Sequence, residues 1–205
     1  MLTINWGFRE QVQEAYHLLK QWAPLEPHDA LQLLSLRFPD PKVRAHGVRW
    51  LSLLDDEELA QMTLQLVQVV KFEQSHDTAL NRFLLRRALM SPPVCGHALF
   101  WALHVEREVE DRHHNCRVLL EIYVRNSGRY RVAIGHQMFV VNKLTQVVTA
   151  VKEFCASKDE HGDPNVKLRE KLKDLVLPRS FQLPLSPHME CKGLIIEKCK
   201  VMGSA

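Results

Sequence analysis

The strongest constraint on how this chain can fold is a succession of short apolar stripes at helical spacing, each ended by proline, glycine or a capping residue. Phe8, Val12, Ala15, Tyr16, Leu18, Leu19 and Trp22 recur every three to four residues, and Pro24 and Pro27 close that stripe. A second helix from Pro27 carries Ala30, Leu31, Leu33, Leu34 and Leu36. It ends at Pro39-Asp40-Pro41, because proline lacks an N–H donor and disfavours helix in the residue before it. A stripe of this kind is stable only when a neighbour covers it, so a chain built from them must stack helix on helix.

The pattern continues along the chain. A third helix, from about Pro41 to Leu54, turns Val43, Val48, Leu51 and Leu54 inward. Asp55 or Asp56 is positioned to cap a fourth, whose first turn carries Glu57 and Glu58 where the helix dipole favours negative charge. Leu59, Met62, Leu66, Val69 and Val70 line one side of it. Leu64 and Val67 lie elsewhere, which predicts a helix sandwiched between neighbours. The fifth starts near Asp77 and presents Leu80, Phe83, Leu84 and Ala88. Ser91-Pro92-Pro93 breaks it. The sixth shows Ala98, Trp101, Ala102, Val105 and Val109 on one stripe, with Leu99, Phe100 and Leu103 beside it. The seventh carries Val118, Leu119, Ile122 and Tyr123 and stops near Gly128, which suits a left-handed cap. A long eighth helix repeats Ile134, Met138, Val141, Leu144, Val148, Val151 and Cys155.

Helix starts near positions 27, 42, 57, 77, 94 and 114 place two helices in every 35–40 residues, roughly the period of helical-hairpin repeats. The expected fold is therefore all-α, a HEAT/armadillo-like helical-repeat superhelix, with a globular helical bundle as the alternative. Beyond 157 the character changes. Residues 158–165 are polar, Val166 to Leu175 form a short amphipathic helix, and Phe181–Pro187 is extended because of its prolines. Gly193–Met202 reads as a β-strand, alternating from Glu197 to Met202, and a lone strand requires a partner. The expected organisation is a helical domain over 1–157, its loop and last helix over 158–180, and a linker with the first strand of a further domain over 181–205.

Composition excludes several classes. The 205 residues are 46% apolar and 25% charged, the balance of a globular protein able to bury a core. A net charge of +3 implies neither nucleic-acid nor membrane binding. No apolar run approaches the roughly 18 residues of a membrane helix, and the first residues show no secretory signal. Five scattered cysteines without C-x-x-C spacing predict reduced thiols in an intracellular protein. Walker-type Gly-x-x-x-x-Gly-Lys and nucleophile-elbow Gly-x-Ser-x-Gly sequences do not occur.

The middle of the chain resembles the helical (accessory) domain of phosphoinositide 3-kinase catalytic subunits. The resemblance rests on Leu31-Gln32-Leu33-Leu34, Phe38-Pro39-Asp40-Pro41-Lys42-Val43-Arg44, and above all Gln65-Leu66-Val67-Gln68-Val69-Val70-Lys71-Phe72-Glu73. It continues through Asp77, Ala79-Leu80, Arg82-Phe83-Leu84-Leu85, Gly96-His97, Phe100-Trp101, Leu119-Leu120-Glu121 and Tyr123. Ile196–Met202 is similar to the first strand leading into the small kinase lobe. Val70-Lys71-Phe72-Glu73, His76-Asp77 and that last segment resemble the class I gamma type, with class II enzymes second.

The resemblance implies a HEAT-like spine for the C2, Ras-binding and kinase domains of a parent that transfers the ATP γ-phosphate to the 3-hydroxyl of an inositol lipid. It implies regulation by an adaptor subunit, G-protein βγ or Ras, and a cytoplasmic parent recruited to the inner face of the plasma membrane. ATP and magnesium would belong to the parent, not to this chain, which has no catalytic, cofactor or metal residues to assign. Family-motif positions expected in packing or at domain interfaces are Gln65, Gln68, Lys71, Glu73, Asp77, Arg82, Phe83, Arg87, His97 and Trp101. The second functional reading is a free-standing helical-repeat adaptor without kinase activity.

Asp111-Arg112-His113-His114-Asn115 resembles the Asp-Arg-His catalytic loop of these kinases, but no Asp-Phe-Gly follows it, and a base without a positioned nucleotide and metal transfers no phosphate. Cys95, His97, His104, His113, His114 and Cys116 lie close in sequence without finger spacing, which reads as packed or solvated side chains rather than a metal site. Lys71, Arg82, Arg86 and Arg87 read as a solvated face paired with Glu73 and Asp77, or as a docking surface. Trp6, Trp22, Trp50 and Trp101 are expected in the core.

Overall fold

The computed structural model describes residues 4–109, 114–156 and 162–202. The chain divides into two compact units, Met1–Gly128 and Arg129–Ala205. Asp111, Arg112 and His113, and the polar stretch 157–161, lie outside the described residues.

The first unit contains helices α1 (Arg9–Gln21), α2 (Pro27–Gln32), α3 (Pro41–Leu51), α4 (Asp56–Val70), α5 (Ala79–Met90), α6 (His97–Val109) and α7 (His114–Asn126), with a π-helical turn at Pro92–Gly96 before α6. Local chemistry explains the boundaries. The Asp40 carboxylate accepts the free N–H groups of Lys42 and Val43, and Pro41 occupies the first turn, where its missing donor costs nothing. Asp55 and Glu58 form a reciprocal capping box at α4. At α5 the cap is Thr78, not Asp77. The Thr78 hydroxyl accepts the Asn81 N–H, while Asp77 faces Arg82. Gly128 takes the expected left-handed conformation, with φ of 56°.

Alternate helices pack together: α1 on α3, α3 on α5 and α5 on α7 in one series, and α4 on α6 in the other. Sequential pairs α2–α3 and α6–α7 also pack closely. Leu34, Val43, Leu51, Leu59, Leu66, Val70, Leu80, Leu103 and Tyr123 are buried between them. Helix α4 is covered at Leu59, Leu66, Val67 and Val70 but leaves Leu64 exposed, so it is less fully sandwiched than its composition predicts.

The expected inward stripe of α6 requires correction. Leu99, Phe100, Ala102 and Leu103 are buried, whereas Val105 is 51% exposed and Trp101 is half-buried. Two adjacent stripes of this helix are apolar, and contact with α4 and α7 decides between them. The chain enters α6 from the π-helical turn, in which the Gly96 N–H bonds to Ser91 O five residues back, and this sets the facing of the helix. The tryptophans are likewise not core: Trp22 is 37% exposed, and Trp6, Trp50 and Trp101 are partly exposed.

The second unit contains α8 (Tyr130–Ala156), α9 (Pro164–Lys173) and an antiparallel pair, β1 (Phe181–Leu183) with β2 (Ser186–Cys191). Val147 and Val151 of α8 and Leu172 of α9 form its core, with Leu144, Leu168, Leu194 and Ile196 against them. Phe181 is buried, β1 packs on α8, and the fully buried Gln137 donates to Gln182 Oε1 at 3.3 Å. The strand expected over Gly193–Met202 is not formed. Ile196–Lys198 make one 3-10 turn, Ile196 packs on the α8–α9 core, and the Val201 N–H donates to Asn165 Oδ1 at 2.8 Å. Leu194, Ile196 and Cys199 rest on the α8–α9 core while Ile195, Val201 and Met202 are exposed, and the strand pairing falls to the preceding segment. Among the described residues no helix is long and apolar enough to cross a membrane.

Candidate functional site

Two inter-helix connections of the first unit approach each other, residues 36–40 between α2 and α3 and residues 71–78 between α4 and α5. They border a cleft of about 370 Å³. Its walls are apolar at Leu36, Pro39, Pro41, Phe72 and Leu80 and polar at Arg44, Glu73, Asp77 and Arg82. Phe72 is 57% and Leu36 67% exposed, a large apolar surface for loop residues.

Arg44 of α3 holds the cleft floor. Its guanidinium donates to the carbonyls of Leu34 and Ser35 and, through Nη2, to Glu73 Oε1 at 2.5 Å. Both partners of this pair are nearly inaccessible. The Glu73 carbonyl in turn accepts the Asn115 amide of α7 at 2.5 Å. Three helical layers are thus tied through one carboxylate-bearing residue. At the open edge Asp77 and Arg82 form an ion pair at 2.5 Å, with both side chains 69% exposed, and the Arg82 guanidinium lowers the Asp77 carboxyl below the ordinary carboxylate range.

The other motif positions fall elsewhere. Lys71 pairs with Glu106 of α6 and donates to Gln68, which itself donates to Glu106. The expectation that Lys71 pairs with Glu73 is corrected, since Glu73 belongs to Arg44. Arg87, at the far end of α5, donates to Asp56 Oδ1 at 2.6 Å and to the Leu54 carbonyl, and its guanidinium lies 5.9 Å from the centre of the buried Phe83 ring. Gln65 is exposed on α4, His97 is buried at the start of α6, and Trp101 packs edge-on against Phe100 and His104. Arg44, Asp56, Glu106 and Asn115 were not singled out as site positions in the sequence. A signal existed for Glu106, which lies three residues after Leu103 on the buried stripe of α6, where a carboxylate requires an internal partner.

These polar groups are engaged with one another, an arrangement that suits rigidity and binding rather than proton transfer. The cysteine–histidine group is dispersed: Cys95 and Cys116 are buried, His104 stacks on Phe100, and His114 lies edge-on to His76 at 4.8 Å. Among the described residues no three potential ligands converge on a metal position. Burial, followed by the Asp56 charge, raises the Cys95 thiol to about 12, and burial with Glu106 raises Cys116 to about 11. A chromogenic disulfide reagent at neutral pH will therefore modify the exposed Cys155 rapidly, and Cys95 and Cys116 only after denaturation, as read by peptide mass mapping.

The Arg87 hydrogen bond, aided by Ser91, holds the Asp56 carboxyl below its ordinary range. A depressed carboxyl stabilises the fold fully above its unfolded value, and that stabilisation disappears as pH falls through the folded value. Stability will therefore decline as pH drops below about 4. Asp56→Asn will flatten that part of a urea-midpoint profile while lowering the midpoint at pH 7.

The phosphoinositide 3-kinase family accessory domain (PIK domain) matches residues 1–134. The chain belongs to this family. Among its relatives, phosphatidylinositol 3-kinase 1 of Dictyostelium discoideum is 37% identical over 204 residues, which is 100% of this chain and 13% of that protein. Phosphatidylinositol 3-kinase 2 of the same organism is 36% identical over 204 residues, covering 100% of the chain and 11% of the relative. Phosphatidylinositol 3-kinase 3 is 31% identical, covering 99% and 12%. The accessory domain and its flanking residues thus span 11–13% of the length of these relatives. The buried ties of Arg44, Lys71 and Arg87 are features of the accessory domain itself, and the chain matches that domain rather than a kinase lobe.

Proposed function

We propose that this accessory domain is the stiff, non-catalytic spine of a phosphoinositide 3-kinase catalytic subunit, built as a HEAT-like stack. The packing of α1 on α3, α3 on α5 and α5 on α7, with α4 on α6, supports this reading, because each layer of a helical-hairpin stack contacts the next of its own series. The parent transfers the ATP γ-phosphate, with magnesium, to the 3-hydroxyl of a phosphatidylinositol lipid. The C2, Ras-binding and kinase domains pack on the spine, and residues 181–205 lead into the kinase domain. The exposed members of the motif set, Gln65, Asp77 and Arg82, together with Phe72, serve domain contact, while Lys71, Glu73 and Arg87 hold the stack. A partner favouring one arrangement of domains on a stiff spine shifts activity by that preference.

The test uses a complete catalytic subunit carrying this domain. It will 3-phosphorylate phosphatidylinositol in vesicles, the 205-residue chain alone will not, and the subunit lacking α1–α7 will lose regulated activity. Full, normally regulated activity after that deletion would overturn the spine role. The class I gamma reading rests on Val70-Lys71-Phe72-Glu73 and His76-Asp77. It predicts stimulation of the complete subunit at the inner plasma membrane by G-protein βγ and Ras. Stimulation only through a phosphopeptide-binding adaptor subunit would refute it.

A further inference from the structure

A second surface of the first unit carries a different chemistry. Helices α1 and α3 border an open groove of about 530 Å³, lined on α1 by Gln13, His17 and Lys20 and on α3 by Lys42, His46 and Arg49. Both triplets follow the spacing i, i+4, i+7, so each forms one row along its helix. The seven residues from Lys42 to Arg49 advance about 10 Å along the axis. No carboxylate side chain lines the groove. Among the described residues, Lys20, Lys42 and Arg49 have no carboxylate within ion-pair distance. Asp40, at the end of the α3 row, is already engaged: one oxygen caps α3 and the other accepts the Tyr16 hydroxyl at 2.6 Å. The Tyr16 ring holds the Lys42 ammonium at 4.2 Å from its centre.

The groove is also rigid at its middle. Trp50 Nε1–H donates to His46 Nε2 at 3.0 Å, and the His46 ring lies edge-on to both Trp22 and Trp50. With Nε2 accepting from Trp50, Nδ1 is the nitrogen left to donate, and burial with the adjacent Arg49 lowers the pKa of His46. We infer that this groove is a docking surface for an acidic peptide segment of a partner protein. The three cations, Lys20 on α1 with Lys42 and Arg49 on α3, are spread along the groove, Lys42 and Arg49 standing about 10 Å apart along their helix, which suits carboxylates spaced along a chain better than a single phosphate. Alternate side chains of an extended peptide recur every ~6.6 Å, so the roughly 10 Å between Lys42 and Arg49 lies between the spans of two and three such acidic residues, a difference that flexible side chains take up. Arg49 supplies a bidentate partner for a carboxylate, and the lysines supply field that steers approach. The inference is independent of the kinase assignment, because it rests on α1 and α3 alone.

The probe is a fluorescein-labelled peptide of alternating glutamate and alanine, titrated with the 205-residue chain and read by fluorescence anisotropy. Binding is expected at low salt, weakening at about 150 mM as charges are screened. Lys20→Glu with Arg49→Glu is expected to weaken binding at least about tenfold. Lys152→Glu with Lys173→Glu, the same charge change on exposed residues of the second unit, should stay within about twofold. Circular dichroism melts verify folding, and Lys20→Gln with Arg49→Gln, expected to lose about half as much on a logarithmic scale, decides the matter if the reversal variant unfolds. Equal losses in both charge reversals would overturn the inference in favour of diffuse electrostatics. Absence of peptide binding would also overturn it, as would preferential binding of tripolyphosphate or phosphatidylserine vesicles.

Discussion

Arg44→Ala will destabilise the first unit by about 3–5 kcal/mol, the usual consequence of removing one member of a buried ion pair. The loss exceeds that of a surface pair because Glu73 would remain desolvated without its guanidinium, and the Leu34 and Ser35 carbonyls would lose a donor. Urea unfolding followed by circular dichroism measures the effect. Arg44→Met with Glu73→Leu should recover most of it, since apolar residues of similar volume often replace a buried pair at little cost. A single-variant loss below about 1 kcal/mol would show that the pair behaves as a solvated one.

Gly96→Ala is the second large effect. A methyl group at position 96 would lie 2.3 Å from the Tyr123 hydroxyl oxygen and 2.7 Å from the Ala88 carbonyl oxygen. Tyr123 is fully buried and Ala88 O belongs to the backbone of α5, so neither can yield cheaply. Over-packing of this kind costs about 1–3 kcal/mol and occasionally more, and the upper end is expected here. In a chain of this size each kcal/mol moves Tm by about 2–4 °C, which calorimetry resolves easily. Gly135→Ala supplies the contrast. That position is exposed within α8 and a Cβ there meets nothing within 4 Å, so the substitution should stabilise by up to about 1 kcal/mol. An unchanged Tm for Gly96→Ala would mean that the α5–α6 approach is looser than the structure shows.

Gly96 was visible as part of a motif, but its necessity depends on Tyr123 of α7 and Ala88 of α5 meeting at the π-helical turn. Arg44 and Glu73 are 29 residues apart, and Arg87 and Asp56 are 31 apart. No periodicity couples residues at that separation. The Thr78 cap was missed because Asp77 is an equally good capping type, and only the Arg82 side chain decides which of the two turns outward.

The basic groove was hidden for a related reason. Gln13, His17 and Lys20 look like an ordinary solvated face of α1, as Lys42, His46 and Arg49 do on α3. Only the packing of α1 on α3 sets the rows opposite each other, while burying Leu19, Leu33 and Val43 beneath them. The cleft at Phe72 was more legible, since its residues lie within the segment that carried the family resemblance.

Apolar period, proline and capping side chains act over three or four residues, and they determined nearly every helix and its ends without reference to the rest of the chain. The tertiary structure decided what those local rules leave equivalent: which of two apolar stripes of α6 is buried, which carboxylate meets which guanidinium, and whether Ile196 lies in a strand or against a helical core. Each of these choices compares burial and ion pairing between segments distant in sequence, and their free energies exist only once the helices have packed.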